Sequence, residues 1–120
     1  MPGQTAREVF ERLVVEALDS LPPDIAEAMS NVEVVIEDEP PPQYVGPGHT
    51  LLGLYHGIPL TERGHYTNVM PDKISIYRGP ITRIARTPSA IRDQVRRTVV
   101  HEIAHHFGID DHRLHELGWG

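Results

Sequence analysis

Residues 101–111 read His-Glu-Ile-Ala-His-His-Phe-Gly-Ile-Asp-Asp. They close a longer stretch in which apolar residues recur at intervals of four, which predicts a helix that Ser89 caps and Gly108 ends. The second half of this helix is apolar over most of its circumference, yet it contains several ionisable side chains. Because burying such groups without partners costs free energy, the stretch is the first place to look for a functional site.

The first five residues of this stretch have the spacing of the H-E-x-x-H motif. On a helix, His101 and His105 are separated by about 6 Å along the axis and face the same way, so both can bind one metal ion. Glu102 lies beside the pair, where a carboxylate can take a proton from a water molecule at the metal without being a ligand. The chain has no cysteine, so a metal site must use His, Asp, Glu and water.

A catalytic zinc ion usually takes three protein ligands, and the motif supplies two. Gly108 permits the left-handed turn that reverses the chain after the helix. Asp111, six residues beyond the second histidine, can then return to the metal, and we expect it to be the third ligand. The alternatives are Asp110, His112 and His115.

The rest of the chain predicts a mixed structure. Hydrophobic periodicity and turn residues predict helices over 6–20 and 111–117 and a short helical turn over 24–29. Alternating apolar residues predict strands over 31–37, 50–56 and 73–78. An acidic, proline-rich connector spans 38–43, and the segment 57–71 is long enough to line a site.

Length and charge limit the possible functions. The 120 residues are expected to form one domain, and the formal net charge of −6 argues against a protein that grips a phosphate backbone. No apolar run approaches the roughly 20 residues of a membrane span, and the first residues lack the layout of a signal peptide. We therefore expect a cytoplasmic protein with no membrane partner.

The pattern His101-Glu102-x-x-His105-x-x-Gly108-x-x-Asp111 resembles the extended zinc-binding motif of the zincin metallopeptidases, in the variant where Asp replaces the third His. Together with the runs Gly53 to Arg63 and Ile74 to Ile81, it is similar to the minimal zincin-like proteins of bacteria.

This resemblance implies an α+β fold in which a small mixed β-sheet packs on an N-terminal helix and a C-terminal active-site helix. It also implies that residues 1–120 form a single zincin-like metallopeptidase domain. Zn²⁺ would be held by His101, His105 and Asp111, and Glu102 would be the general base.

Other polar residues near the motif have an ordinary and a functional interpretation. His106 is expected to support the site or the helix rather than to bind the metal. His112 and His115 are surface histidines or contact the substrate. Candidates for stabilising an oxyanion, with strand packing or solvation as the alternative, are Tyr55, His56, Tyr66, Tyr77 and Arg78. The arginines in the first half of the long helix form a solvated face or contact an anionic partner.

Three functions follow from these patterns. The leading hypothesis is a zinc-dependent metallopeptidase that acts on a peptide or protein substrate. The second is a non-catalytic binding module that zinc stabilises. The third is a metal-dependent endoribonuclease, because the spacing also resembles that of the bacterial endoribonucleases of rRNA maturation. It is less favoured, since that family carries Gly where this chain has Glu102 and a third His where it has Asp111.

Overall fold

The computed structural model describes residues 5–46, 51–56, 72–106 and 111–116, without the side chains of residues 105, 106, 111 and 114. The elements in chain order are α1 (Ala6–Asp19), α2 (Pro23–Ala28), β1 (Val32–Glu37), a 3-10 turn (Pro42–Tyr44), β2 (Gly53–His56), β3 (Asp72–Tyr77), α3 (Arg78–Ile84), α4 (Pro88–His106) and α5 (Asp111–Glu116). The predicted site-lining segment 57–71 lies outside the described residues.

The three strands form one mixed sheet in the order β1-β3-β2. β1 runs parallel to the central strand β3, with Val34 opposite Ile74, and β2 runs antiparallel to it, with Gly53 opposite Ile76. The apolar residues that alternate along β1 and β3 therefore share one face of the sheet, as their period of two predicts.

The core lies between this face of the sheet and the helices α1 and α4. Both helices present an apolar stripe, and α4 contacts α1, β2 and β3. The buried apolar side chains are Phe10, Leu13, Val14, Ala17, Leu21 and Ile25 from the first two helices and the turn between them, Ile74, Ile76, Tyr77, Ile81 and Ala85 from β3, α3 and the residue after α3, and Val95, Val99, Val100, Ile103 and Ala104 from α4. The arrangement confirms the α+β class with a small mixed sheet packed on two helices.

Helix α1 begins where its sequence predicts. The Thr5 hydroxyl accepts a hydrogen bond from the backbone N–H of Glu8 at 3.1 Å and donates to the Glu8 carboxylate at 3.1 Å. The side chain of the capping residue thus satisfies one of the N–H groups that the first turn leaves without an intrahelical partner.

The acidic connector after β1 is tied to its neighbours by arginines. Asp38 accepts hydrogen bonds from Arg7 and Arg78 at 3.1 and 3.0 Å, and Glu39 forms a two-point pair with Arg83 at 2.9 and 3.0 Å. The hydrogen bonds from Arg83 lower the pKa of the Glu39 carboxyl below its ordinary value. Charge pairing therefore fixes the course of the connector across α3.

Three sequence predictions about element ends are wrong. The strand predicted over 50–56 begins only at Gly53, and residues 51 and 52 precede it. The strand predicted over 73–78 ends at Tyr77, and Arg78 is already the first residue of α3. Pro80 lies in the first turn of α3, where a missing N–H costs nothing, so it does not block the helix. The cap of α4 is Thr87 rather than Ser89, because the Thr87 hydroxyl accepts from the N–H of Ala90 at 3.1 Å.

Among the helices in the described part of the chain, none is long and apolar enough to cross a membrane.

Candidate active site

The long helix α4 carries the first half of the motif. Its buried side presents Val99, Val100 and Ile103 to the core, while His101 and Glu102 are half-buried at the margin of that side. The apolar residues hold the helix against the sheet, and the polar pair is left facing the edge strand β2. The sequence therefore places both side chains where protein and solvent meet.

The Glu102 carboxylate is held in position by the edge strand. Its Oε1 accepts a hydrogen bond from the backbone N–H of Tyr55 at 2.9 Å. Because a backbone N–H in a strand is a rigid donor, this contact fixes the orientation of the carboxylate relative to α4. The two residues are 47 positions apart in sequence, and the packing of β2 on α4 brings them together.

Gly53 allows β2 to approach α4 this closely. A Cβ atom on Gly53 would lie 2.6 Å from Thr98 Cγ2, 3.1 Å from the backbone oxygen of Ser75 and 3.8 Å from Glu102 Cγ. The first of these distances is shorter than any ordinary carbon contact, so a larger residue would push β2 away from the helix. The glycine thus serves the Tyr55–Glu102 contact two residues further along β2.

A cleft of about 310 Å³ opens between β2 and α4. It is lined by Leu51, Leu52 and Gly53 on one side and by Gln94, Arg97, Thr98, His101 and Glu102 on the other. Ligand pockets usually have volumes of about 300–1,000 Å³, so the cleft has room for a small part of a ligand. It places an open space directly against the two described residues of the motif.

The three expected metal ligands are distributed over α4 and α5. His101 and His105 lie one turn apart in α4, and Asp111 is the first residue of α5, which contacts α4. The side chains of His105 and Asp111 lie outside the described residues, and the described residues alone contain no group of three metal-binding side chains. Two imidazoles and a carboxylate are a suitable donor set for Zn²⁺, and the helical spacing of the two histidines fits one ion.

The remaining histidine candidates are further along the chain. The side chain of His106 lies outside the described residues. His112 is exposed in α5, with its Nε2 3.7 Å from Glu116 Oε1, and His115 is exposed on the same short helix. Their proposed roles stay predictions.

The candidate Tyr77 lies at the end of β3 with only 1% of its surface exposed. Burial, followed by the negative charge of Glu37, raises the pKa of its phenol, while a hydrogen bond with Ser75 acts in the opposite direction. Ser75 itself donates to Glu37 at 2.7 Å. The phenol of Tyr77 thus stays neutral and forms a small polar group with Ser75 and Glu37. Its role toward a substrate stays a prediction.

The other oxyanion candidates differ in their surroundings. The hydroxyl of Tyr55 donates to the buried Asp72 carboxylate, and the guanidinium of Arg78 pairs with Asp38. His56 is half-buried at the end of β2, and Tyr66 lies outside the described residues.

The metal-binding motif does not point to several residues of the cleft. Leu51 and Leu52 precede the edge strand β2 and Gly53 begins it, and no local pattern indicates which helix this strand meets. Helical spacing gives a weak indication that Gln94 and Thr98 belong to the site, because they precede His101 by seven and three residues and so share its face of the helix.

Comparisons with known proteins agree with this architecture. Residues 29–119 match the family model described as zincin-like metallopeptidase, which covers most of the chain. The chain therefore belongs to the zincin-like metallopeptidase family. Its fold is similar to that of a conserved hypothetical protein from Thermus thermophilus, with a TM-score of 0.59 and 25% sequence identity over 86% of this chain and 94% of that chain. A comparison with curated proteins finds no match.

Proposed function

We propose that this protein is a zinc-dependent peptidase with Glu102 as its general base. The observation that carries the proposal is the hydrogen bond between Glu102 Oε1 and the Tyr55 N–H at the wall of an open cleft. A general base must be held within reach of the proton that it accepts, and this contact orients the Glu102 carboxylate at the wall of the cleft that His101 also lines. Membership of a metallopeptidase family supports the same reaction class.

The residues that would hold the metal are His101, His105 and Asp111. Zinc, when bound, supplies a Lewis acid that lowers the pKa of a water molecule and polarises a carbonyl group. Glu102 would accept a proton from the attacking water molecule and return it to the leaving amine of the peptide. The hydrogen bond from the Tyr55 N–H orients the Glu102 carboxylate for this proton transfer.

The described cleft residues give the site two further properties. Leu51 and Leu52 form an apolar wall that excludes water from one side of a bound peptide. The edge of β2 and the face of α4 leave the cleft open to solvent, so an extended chain can enter it. Together they support a peptide or protein substrate rather than a small buried metabolite.

Replacing Glu102 with Gln tests the mechanism. The carboxamide keeps the shape of the side chain and an oxygen that can accept from Tyr55, but it does not accept a proton. We expect zinc content and folding to be retained while peptide hydrolysis falls by about 10²-fold or more. The measurement is zinc by elemental analysis, together with mass-spectrometric detection of cleavage in a peptide library.

The controls separate the metal site from the base. His105→Ala and Asp111→Ala should lose both zinc and hydrolysis, whereas Arg96→Gln, at a position outside the cleft lining, should retain both. Hydrolysis by Glu102→Gln at the rate of the wild-type protein would contradict the proposed mechanism. Stoichiometric zinc without cleavage of any library peptide by the wild-type protein would instead favour the zinc-stabilised binding module.

A further inference from the structure

The cleft extends beyond the motif along one face of α4. Its helical wall consists of residues 94, 97, 98, 101 and 102, which follow the spacing of neighbours on a single helical stripe. Gln94 and Arg97 therefore lie on the side of the cleft away from His105, toward the start of the helix. A ligand that reaches the motif from this side must pass both of them.

Arg97 dominates the charge of this end of the cleft. It is the side chain with a permanent positive charge among the described cleft residues. The guanidinium is always protonated, and its fixed fork of donors matches both oxygens of a carboxylate. The cleft therefore offers a peptide an anion-binding group about one helical turn before His101.

The contact that Arg97 makes in this structure is weak. Its Nη2 lies 3.5 Å from Asp93 Oδ2, and the two side chains are 63% and 60% exposed. Solvent screens such a pair, which usually contributes little to stability. Exchange of Asp93 for a carboxylate of a ligand consequently costs little.

The other arginines of this part of α4 serve a different surface. Arg92 and Arg96 line a separate groove beside α1, where Arg92 pairs with Glu16 at 3.1 Å. They are close to Arg97 in sequence but lie outside the cleft lining. This difference supplies matched control positions on the same helix.

We propose that Arg97 is a specificity-determining residue that binds a carboxylate of the peptide substrate. The proposal rests on the proposed peptidase function and names its substrate class as acidic peptides. Arg97 precedes His101 by four residues, or about 6 Å along the helix. An extended peptide advances about 3.3–3.6 Å per residue, so the carboxylate belongs within about two residues of the cleaved bond.

A carboxylate in this position has two sources, an acidic side chain or the free C-terminus of a short peptide. The probes are acetyl-Leu-Ala-Glu-amide, its neutral counterpart acetyl-Leu-Ala-Gln-amide, and acetyl-Leu-Ala with either a free or an amidated C-terminus. Each is titrated into zinc-loaded protein carrying Glu102→Gln, which prevents turnover. Binding is followed by NMR at the Arg97 Nε–Hε group and the Thr98 backbone amide.

The expected result is saturable binding in which at least one carboxylate probe is bound about tenfold more tightly than its neutral partner, a factor that corresponds to one charge-assisted contact. Adding Arg97→Gln should remove that preference and leave the affinity for the neutral probe within about twofold. Adding Arg96→Gln instead should keep the preference. Whichever of the two carboxylate probes shows the preference identifies the source.

Three results would overturn the proposal. The first is equal affinity for the charged and neutral probes, and the second is the absence of a saturable NMR shift up to millimolar peptide. The third is a preference for the carboxylate probe that survives Arg97→Gln, which would indicate that the carboxylate binds at the metal instead. Cleavage assays distinguish a failure of the role proposed for Arg97 from a failure of the proposed peptidase function. Hydrolysis without charge preference contradicts the role of Arg97 alone, whereas Arg97-dependent binding with no hydrolysis by wild-type protein contradicts the peptidase function alone.

Discussion

Gly53 is the residue on which the contact between edge strand and helix depends. A methyl group there would lie 2.6 Å from Thr98 Cγ2 and 3.1 Å from the Ser75 backbone oxygen. Because overpacking of a tight contact usually costs about 1–3 kcal/mol, we expect Gly53→Ala to lower the free energy of unfolding by that amount. Urea denaturation monitored by circular dichroism measures the change.

A second substitution checks the cause of that loss. Thr98→Ser removes the Cγ2 atom but keeps the hydroxyl, which donates to the Gln94 backbone oxygen at 2.8 Å. The double variant should therefore recover part of the stability lost in Gly53→Ala, with a coupling energy above about 0.5 kcal/mol. Strict additivity of the two substitutions would show that the clash with Thr98 is not the cause.

The raised pKa of Tyr77 predicts how the free energy of unfolding depends on pH. Burial raises the pKa of its phenol in the folded protein, whereas in the unfolded chain the phenol ionises near pH 10. The neutral phenol therefore makes its full contribution to the free energy of unfolding below about pH 10. This contribution is lost as the pH rises through the raised pKa of the folded protein. Above about pH 10, the free energy of unfolding of Tyr77→Phe should fall less steeply with pH than that of the wild-type protein.

Denaturant titrations across that pH range test this prediction. Tyr44→Phe is the comparison variant, because Tyr44 is 52% exposed and its charge raises the pKa of Tyr77 less than burial and Glu37 do. Its curve should depart from the wild-type curve less than that of Tyr77→Phe. Parallel curves for wild type and Tyr77→Phe would contradict the assignment of the alkaline loss to this residue.

At the level of single residues, the sequence could identify the motif but not its neighbours. The spacing of His101, Glu102 and His105 is local and follows from the geometry of one helix. The hydrogen bond from the Tyr55 N–H to Glu102 depends instead on which strand of the sheet lies beside α4. That choice is a property of tertiary packing, and one sequence contains no local pattern that encodes it.

Among the elements, α4 depends on its N-terminal cap. The Thr87 hydroxyl accepts from the Ala90 N–H at 3.1 Å, and Pro88 occupies the first helical position. We expect Thr87→Ala to lower the free energy of unfolding by about 1 kcal/mol, because the substitution removes the cap. Ser89→Ala should change it by less than about 0.5 kcal/mol. Thermal and urea denaturation of both variants compare the two positions, and an equal loss in both would contradict the assignment.

The cap also shows why element ends are difficult to predict. Both Thr87 and Ser89 carry hydroxyl groups suited to capping, and the difference between them follows from Pro88, which is favoured just inside a helix start. Helix α3 was missed for a related reason, since Gly79 and Pro80 are typical of turns. Here Gly79 donates its N–H to the Asp38 backbone oxygen at 2.8 Å, so the contact that supports this helix start lies in a distant connector.

In the whole molecule, the fold class follows from periodicity, whereas the sheet order does not. The alternation along β1 and β3 predicts strands, and the stripes along α1 and α4 predict helices that share a core with them. The parallel pairing of β1 with β3, and the position of β2 at the edge, arise from contacts between residues far apart in the chain. The edge position is what leaves β2 beside the cleft.

The proposed metal site couples α4 to α5, so zinc should stabilise the whole molecule. A ligand that binds only the folded chain contributes about 2.7 kcal/mol when its free concentration is 100 times Kd. For a chain of this size we expect the melting temperature to rise by about 10 °C on addition of zinc and to fall again with a chelator. Differential scanning fluorimetry measures both changes.

The ligand variants decide which side chains carry that coupling. His105→Ala and Asp111→Ala should melt at the temperature of the metal-free wild-type protein and gain little from zinc, because removing a ligand lowers the affinity. His112→Ala and His115→Ala should retain the increase. If zinc still stabilises Asp111→Ala fully but no longer stabilises His112→Ala, the third ligand is His112. The carboxylate of Asp111 would then serve only the start of α5, where a negative charge is favourable.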